Sequence, residues 1–213
     1  MKRGGEGPGE AARTWARVDP QRYEAVQAAM DQRYRLKKRV NLAICAVIAV
    51  LGITSFLYGI KLEPMPTIFR WLTVDGTLFT TVSAIVCIAV NLVEVFRNTE
   101  LTREWAYYFR LSSAVAESVI FFVVAFRQFP FFPEHMPMFD RYDSFVMHVM
   151  IPLLGIGSFL INDLPIGRLK PRQRWKGTWF VTCYAITMLM LISTGLLPPE
   201  RIPYPFLNYL ENG

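Results

Sequence analysis

Two histidines and three cysteines are all the imidazole and thiol metal ligands that this chain has. Cys45, Cys87 and Cys183 fall far apart inside apolar stretches, without metal-type spacing. They read as small packing residues, and neither a zinc site nor a disulfide framework is implied. Charge is scarce as well: Asp, Glu, Lys and Arg make up 19% of the residues against 53% hydrophobic. No internal repeat recurs, which argues against the commonest transporter architectures. A removable signal peptide is also missing, since the first long apolar run starts near residue 40, behind a charged tail, and is too long for a signal core. The net charge of +6 is not a nucleic-acid footprint, because the basic residues gather in the N-terminal tail and around 168–176. Membrane orientation explains both clusters, and no nucleic-acid partner is expected.

What the chain does have is long apolar blocks separated by short charged or proline-rich breaks. That pattern predicts an all-α, polytopic membrane helix bundle. Residues 1–18 read as a disordered tail. Asp19 and Pro20 open a basic amphipathic interfacial helix over 19–39, with Tyr23, Val26, Met30 and Tyr34 at helical spacing. The transmembrane bundle covers 40–197, with five spans at about 40–60, 71–95, 105–126, 143–162 and 177–197, followed by a C-terminal tail, 198–213. Seventeen of the 23 Lys and Arg lie in the N-tail and the 97–104 and 163–176 loops. The 61–70 and 127–142 loops and the C-tail hold only five. The positive-inside rule therefore puts the N-terminus in the cytoplasm and the C-terminus outside.

His148 is the histidine inside a span, and an ionisable group there is a functional hypothesis by default. Pro152, four residues on, has no N–H for the His148 carbonyl, so a kink is expected beside the imidazole. Spans two and four run in the same direction. Thr73 and His148 therefore fall at similar depth in the outer half of the bilayer, with Asp75 near that level and Glu117 closer to the midplane. A hydroxyl, an imidazole and a carboxylate are the parts of an activated nucleophile. Each also has a plainer role: Thr73 as helix glue, Asp75 as a helix-dipole partner, His148 as a packing residue, Glu117 as a paired or protonated acid. Asn91 and Glu94 read as groups at the cytoplasmic boundary, and the aromatic run at 121–132 as lipid-facing and interfacial.

Three short motifs, Arg70-Trp71-Leu72-Thr73-Val74-Asp75, Met147-His148-Val149-Met150-Ile151-Pro152 and Tyr204-Pro205-Phe206-Leu207, resemble in order and spacing the androgen-induced (AIG/FAR-type) integral membrane family. The resemblance covers about residues 40–210. It implies a threonine hydrolase of fatty acid esters of hydroxy fatty acids, with the family's essential threonine and histidine falling on Thr73 and His148. Asp75, Glu117 and Tyr204 would be orienting or pocket residues, and no metal or organic cofactor is implied. The family usually has a sixth span after the Tyr-Pro-Phe-Leu motif, whereas this sequence stops six residues after Leu207. A partner subunit or a second copy is expected to replace that helix. The expected partners are membrane lipids and a lipid ester substrate. The expected location is the cell membrane of a prokaryote, or an endomembrane or the plasma membrane of a eukaryote. The alternative is a non-enzymatic accessory or assembly subunit, or part of a proton-linked transporter using Glu117 and His148.

Overall fold

The computed structural model describes residues 20–63, 65, 67–97, 104–128, 139–163 and 171–204. Among these every regular element is helical. Helix α1 is Pro20–Leu62. It contains both the segment expected at the interface and the first expected span. A 3₁₀ turn, Thr67–Arg70, leads into α2, Leu72–Arg97. Helix α3 is Glu104–Phe122, continued by a π-helical stretch, Val123–Gln128. Helix α4, Tyr142–Asp163, alternates α and π segments, and α5 is Trp179–Ser193. The N-tail 1–18, residues 98–103, the Pro-rich stretch 129–138 and Pro205–Leu207 of the third motif lie outside the described residues.

Four of the helices are long and apolar enough to cross a membrane. The fifth, α5, has 15 residues and is equally apolar but shorter than the expected span at 177–197. At 1.5 Å per residue it is about 22 Å long. Gly195, at φ +70°, ends this helical run in the left-handed conformation that glycine adopts without strain, and the Leu197 N–H returns to the Leu191 carbonyl.

Residues 41–213 form one compact unit. Its burial pattern is that of a bundle surrounded by hydrocarbon. Val47, Val50, Ile53 and Leu57 of α1, Val82 and Ile85 of α2 and Leu160 and Ile161 of α4 are exposed. Thr73, Thr77, Thr80, Ser112, Ser113 and Glu117 are buried. With no water to pair with, polar groups turn toward one another and apolar ones toward lipid. On α2 the inward groups Thr73, Thr77, Thr80, Ala84, Cys87 and Asn91 recur every three or four residues, forming one seam along the helix.

Small residues let the helices close on this seam. A Cβ added at Gly52 of α1 would collide with the Thr81 hydroxyl of α2. A Cβ added at Gly155 of α4 would lie 3.5 Å from the side chains of Glu117 and Thr80. Gly157, by contrast, faces open space. Gly52→Val should therefore force α1 off α2 and destabilise the bundle by about 1–3 kcal/mol, while Gly157→Ala should be tolerated. Thermal unfolding of both variants in detergent would measure the difference.

Candidate functional site

The start of α2 is fixed by the residues that precede it. The Trp71 indole N–H donates to Glu63 at 3.1 Å, Arg70 pairs with Glu63 at 3.0 Å, and the Tyr184 hydroxyl of α5 donates to the Arg70 carbonyl at 2.6 Å. The Trp71 carbonyl accepts the Val74 and Asp75 N–H groups, which commits the chain to a helix at once. Thr73 therefore stands in the first turn, buried and aimed across the bundle at α4.

On α4 a π-turn, Val146–Met150, lies immediately before the fully buried Pro152, and the Ile151 N–H reaches back five residues to the Val146 carbonyl. Pairing shifted by one residue accommodates a proline that cannot supply the usual i+4 donor. His148 is at the centre of that turn. Its Nε2 is 3.2 Å from the Thr73 hydroxyl. Its Nδ1 is 2.8 Å from the Ser144 carbonyl and 3.2 Å from the Ser144 hydroxyl. A carbonyl only accepts, so the short bond places the proton on Nδ1 and leaves the Nε2 lone pair facing the threonine. The Phe139 ring meets the imidazole edge-on at 5.6 Å and closes its other side.

The structure thus brings Thr73 and His148 together and separates Asp75 from them. Two residues along a helix are about 200° apart around it, so Asp75 cannot share the Thr73 face. It lines a cavity of about 900 Å³ between α2 and α5, together with Phe79, Val82, Tyr184, Met188 and Arg201. The group that orients the imidazole is instead Ser144, one helical turn before it. The carboxylate whose charge the imidazole feels is Asp143, held by Arg141 at 2.7 Å. Neither was singled out from sequence. The four-residue spacing of Ser144 and His148 was the available signal.

Glu117 lies deeper, fully buried against Gly155, and neither of its oxygens makes a hydrogen bond of ordinary geometry. The Thr80 hydroxyl beside it accepts from Ser113 at 3.0 Å. Tyr204 closes the site from the C-terminal side. Its ring packs edge-on against Trp71 at 5.8 Å. Burial pushes its phenol above the usual range, so it stays neutral.

A second polar centre lies at the other end of α2. Arg110 of α3 pairs with Asp163 of α4 at 2.7 Å and donates to Ser158 at 2.9 Å, to Asn41 at 3.3 Å and to the Cys45 sulfur at 3.2 Å. Asn41 in turn donates to the Cys87 sulfur at 3.4 Å, as does Asn91. Two of the cysteines expected to be apolar filler are therefore hydrogen-bond acceptors in a four-helix polar node, which Asn91 joins through Cys87. Among the described residues no group of three or more His, Cys, Asp or Glu side chains is placed to hold a metal ion.

Comparison of the chain with family models, curated proteins and solved structures finds no match. The polar node makes its own prediction. Arg110→Ala should leave Asp163, Asn41 and Ser158 without their shared donor and destabilise the bundle by about 3 kcal/mol. Arg110→Lys should recover only part of this, because an ammonium cannot reproduce the guanidinium fork. Unfolding temperatures of the two variants against wild type would check the order.

Proposed function

We propose that this protein is a membrane-embedded ester hydrolase in which Thr73 is the nucleophile and His148 the general base. One observation carries the reading: the Thr73 hydroxyl lies 3.2 Å from an Nε2 whose lone pair is freed by the 2.8 Å bond on Nδ1. That is nucleophile, base and orienter in one line, with a main-chain carbonyl in the orienting place.

The chemistry follows from those three groups. Nε2 takes the hydroxyl proton as Thr73 Oγ bonds to the acyl carbon, giving a tetrahedral oxyanion. The imidazolium then returns the proton to the departing alkoxide as the C–O bond breaks, leaving an acyl-threonine and a free alcohol. Water, deprotonated by the same Nε2, attacks the acyl-threonine and releases a carboxylic acid. The imidazolium formed in each step is stabilised by the Ser144 carbonyl and by Asp143 nearby.

A lipid ester suits the surroundings. The cavity between α2 and α5, on another face of α2 from the dyad, is lined mostly by apolar side chains, which suits an alkyl chain better than a polar substrate. The three motifs that resemble the AIG/FAR-type family point to fatty acid esters of hydroxy fatty acids, with the substrate entering sideways from the bilayer. A cytoplasmic N-terminus, from the asymmetry of basic residues, would put the dyad in the outer half of the membrane.

The test is activity-based labelling of purified protein with a fluorophosphonate probe, with mass spectrometry to locate the adduct, and turnover of a long-chain ester. Wild type should be labelled at Thr73. Thr73→Ala should lose labelling and turnover, and His148→Ala should slow both by roughly 10²–10⁴-fold. Labelling that is absent from wild type, or unchanged from wild type in both variants, would leave the accessory-subunit or transporter reading in its place.

A further inference from the structure

The cavity between α2 and α5 has two ends of different chemistry. Its walls are apolar, with Leu78 and Val82 from α2 and Met188 and Leu191 from α5. At the end formed by the start of α5, Phe79 stacks on Phe180 at 4.4 Å. From Phe180 to Leu191 the helix rises about 16 Å, so the walls make a trough rather than a pit. Val82 and Cys183 line it and are exposed, which opens it sideways.

Charge is confined to the other end. Arg70 and Arg201 both line the cavity, and Nη1 of Arg70 donates to the Arg201 carbonyl at 3.4 Å, so the two are neighbours. Arg70 is already engaged, by Glu63 at 3.0 Å and by the Trp71 ring at 5.1 Å, although its Nε is buried without an acceptor. Arg201, in the turn Pro199–Arg201 beyond α5, is different. Among the described residues its guanidinium has neither a carboxylate nor another acceptor. Asp75 is the one acidic residue lining the cavity, in the first turn of α2. It disfavours a second negative charge at its own level, so an anion is favoured only at the arginine mouth.

We propose that this cavity binds a long-chain fatty acid anion, with its carboxylate on Arg201 beside Arg70 and its alkyl chain along the trough. A guanidinium fork matches a planar carboxylate with two parallel hydrogen bonds. A volume of about 900 Å³ suits a ligand of that class, and a single trough takes a single chain. A neutral lipid would fill the walls equally well and leave the Arg201 charge unanswered. The site lies on another face of α2 from Thr73, and it does not depend on the hydrolase reading.

The experiment is photo-crosslinking of the purified protein in a non-ionic detergent with palmitate that carries a diazirine in mid-chain. Adducts are located by mass spectrometry, and unlabelled palmitate, hexadecanol and phosphatidylglycerol serve as competitors. Adducts should fall on cavity residues such as Phe180, Cys183 and Met188, and palmitate should compete while hexadecanol of equal chain length competes about tenfold less well, the size of one charge-assisted hydrogen bond. Arg201→Gln should weaken palmitate by a similar factor and leave hexadecanol unchanged. Val82→Trp, which fills the trough from an exposed position, should lose the adducts while remaining monodisperse. Equal competition by hexadecanol, or palmitate unaffected by Arg201→Gln, overturns the proposal, as does an equal yield of adducts on the lipid-facing side of α1. Phosphatidylglycerol competing as well as palmitate also overturns it and gives the cavity to a phospholipid. The readout is binding rather than turnover, so none of these outcomes decides whether Thr73 is a nucleophile.

Discussion

Polar side chains in this bundle have no water to turn to, and α2 is where they are collected. Its seam of Thr73, Thr77, Thr80, Cys87 and Asn91 faces α1, α3 and α4 in turn, and each neighbour answers with a small or polar group. Gly52 admits the Thr81 hydroxyl, Ser113 bonds to Thr80, Asn41 bonds to Cys87, and His148 meets Thr73. No hydrophobic force drives helices together in lipid, so close packing at small residues and these polar pairings decide which helix faces lie together. The dyad is one rung of that ladder. Its precision comes from the same closure that keeps the whole seam out of hydrocarbon.

The two ends of the seam differ in kind. At the Arg110 end, a guanidinium, a carboxylate, two amides and two thiols satisfy one another, and the result is a clamp across four helices. At the Thr73 end the hydroxyl–imidazole pair is only partly saturated, and an apolar cavity lies on another face of the same helix. A saturated network resists change, whereas an imidazole lone pair facing a hydroxyl has chemistry left to do. Glu117 lies between them, buried and poorly paired, on the seam of α3 that faces Thr80.

The helices were legible because apolar block length is a one-dimensional signal, and so was the depth of Thr73 relative to His148. Rotation about the helix axes was not, which is why Asp75 was grouped with the dyad although it points into the cavity behind it. Periodicity alone would have separated them, since positions 73 and 75 cannot share a face. The partner of Nδ1 was harder to find, because it is a carbonyl and carbonyls have no letter in a sequence. The π-turn at His148 was foreshadowed by Pro152, but a missing donor can be met by a kink, by water or by a wider turn. Packing selected the last. Nor did apolar surroundings mark Cys45 and Cys87 as acceptors, because a thiol earns that role only when an arginine and an asparagine arrive from other helices.

A main-chain orienter has an evolutionary corollary. In a triad of three side chains any member can be lost by a single substitution, and each leaves a letter for comparison to find. At His148 the third member is supplied by the peptide group of whatever residue precedes it by one turn, so no codon change can delete it. Such a site is robust to drift at position 144 and correspondingly quiet in sequence. Its signature shrinks to one threonine and one histidine on different helices, separated by 75 positions.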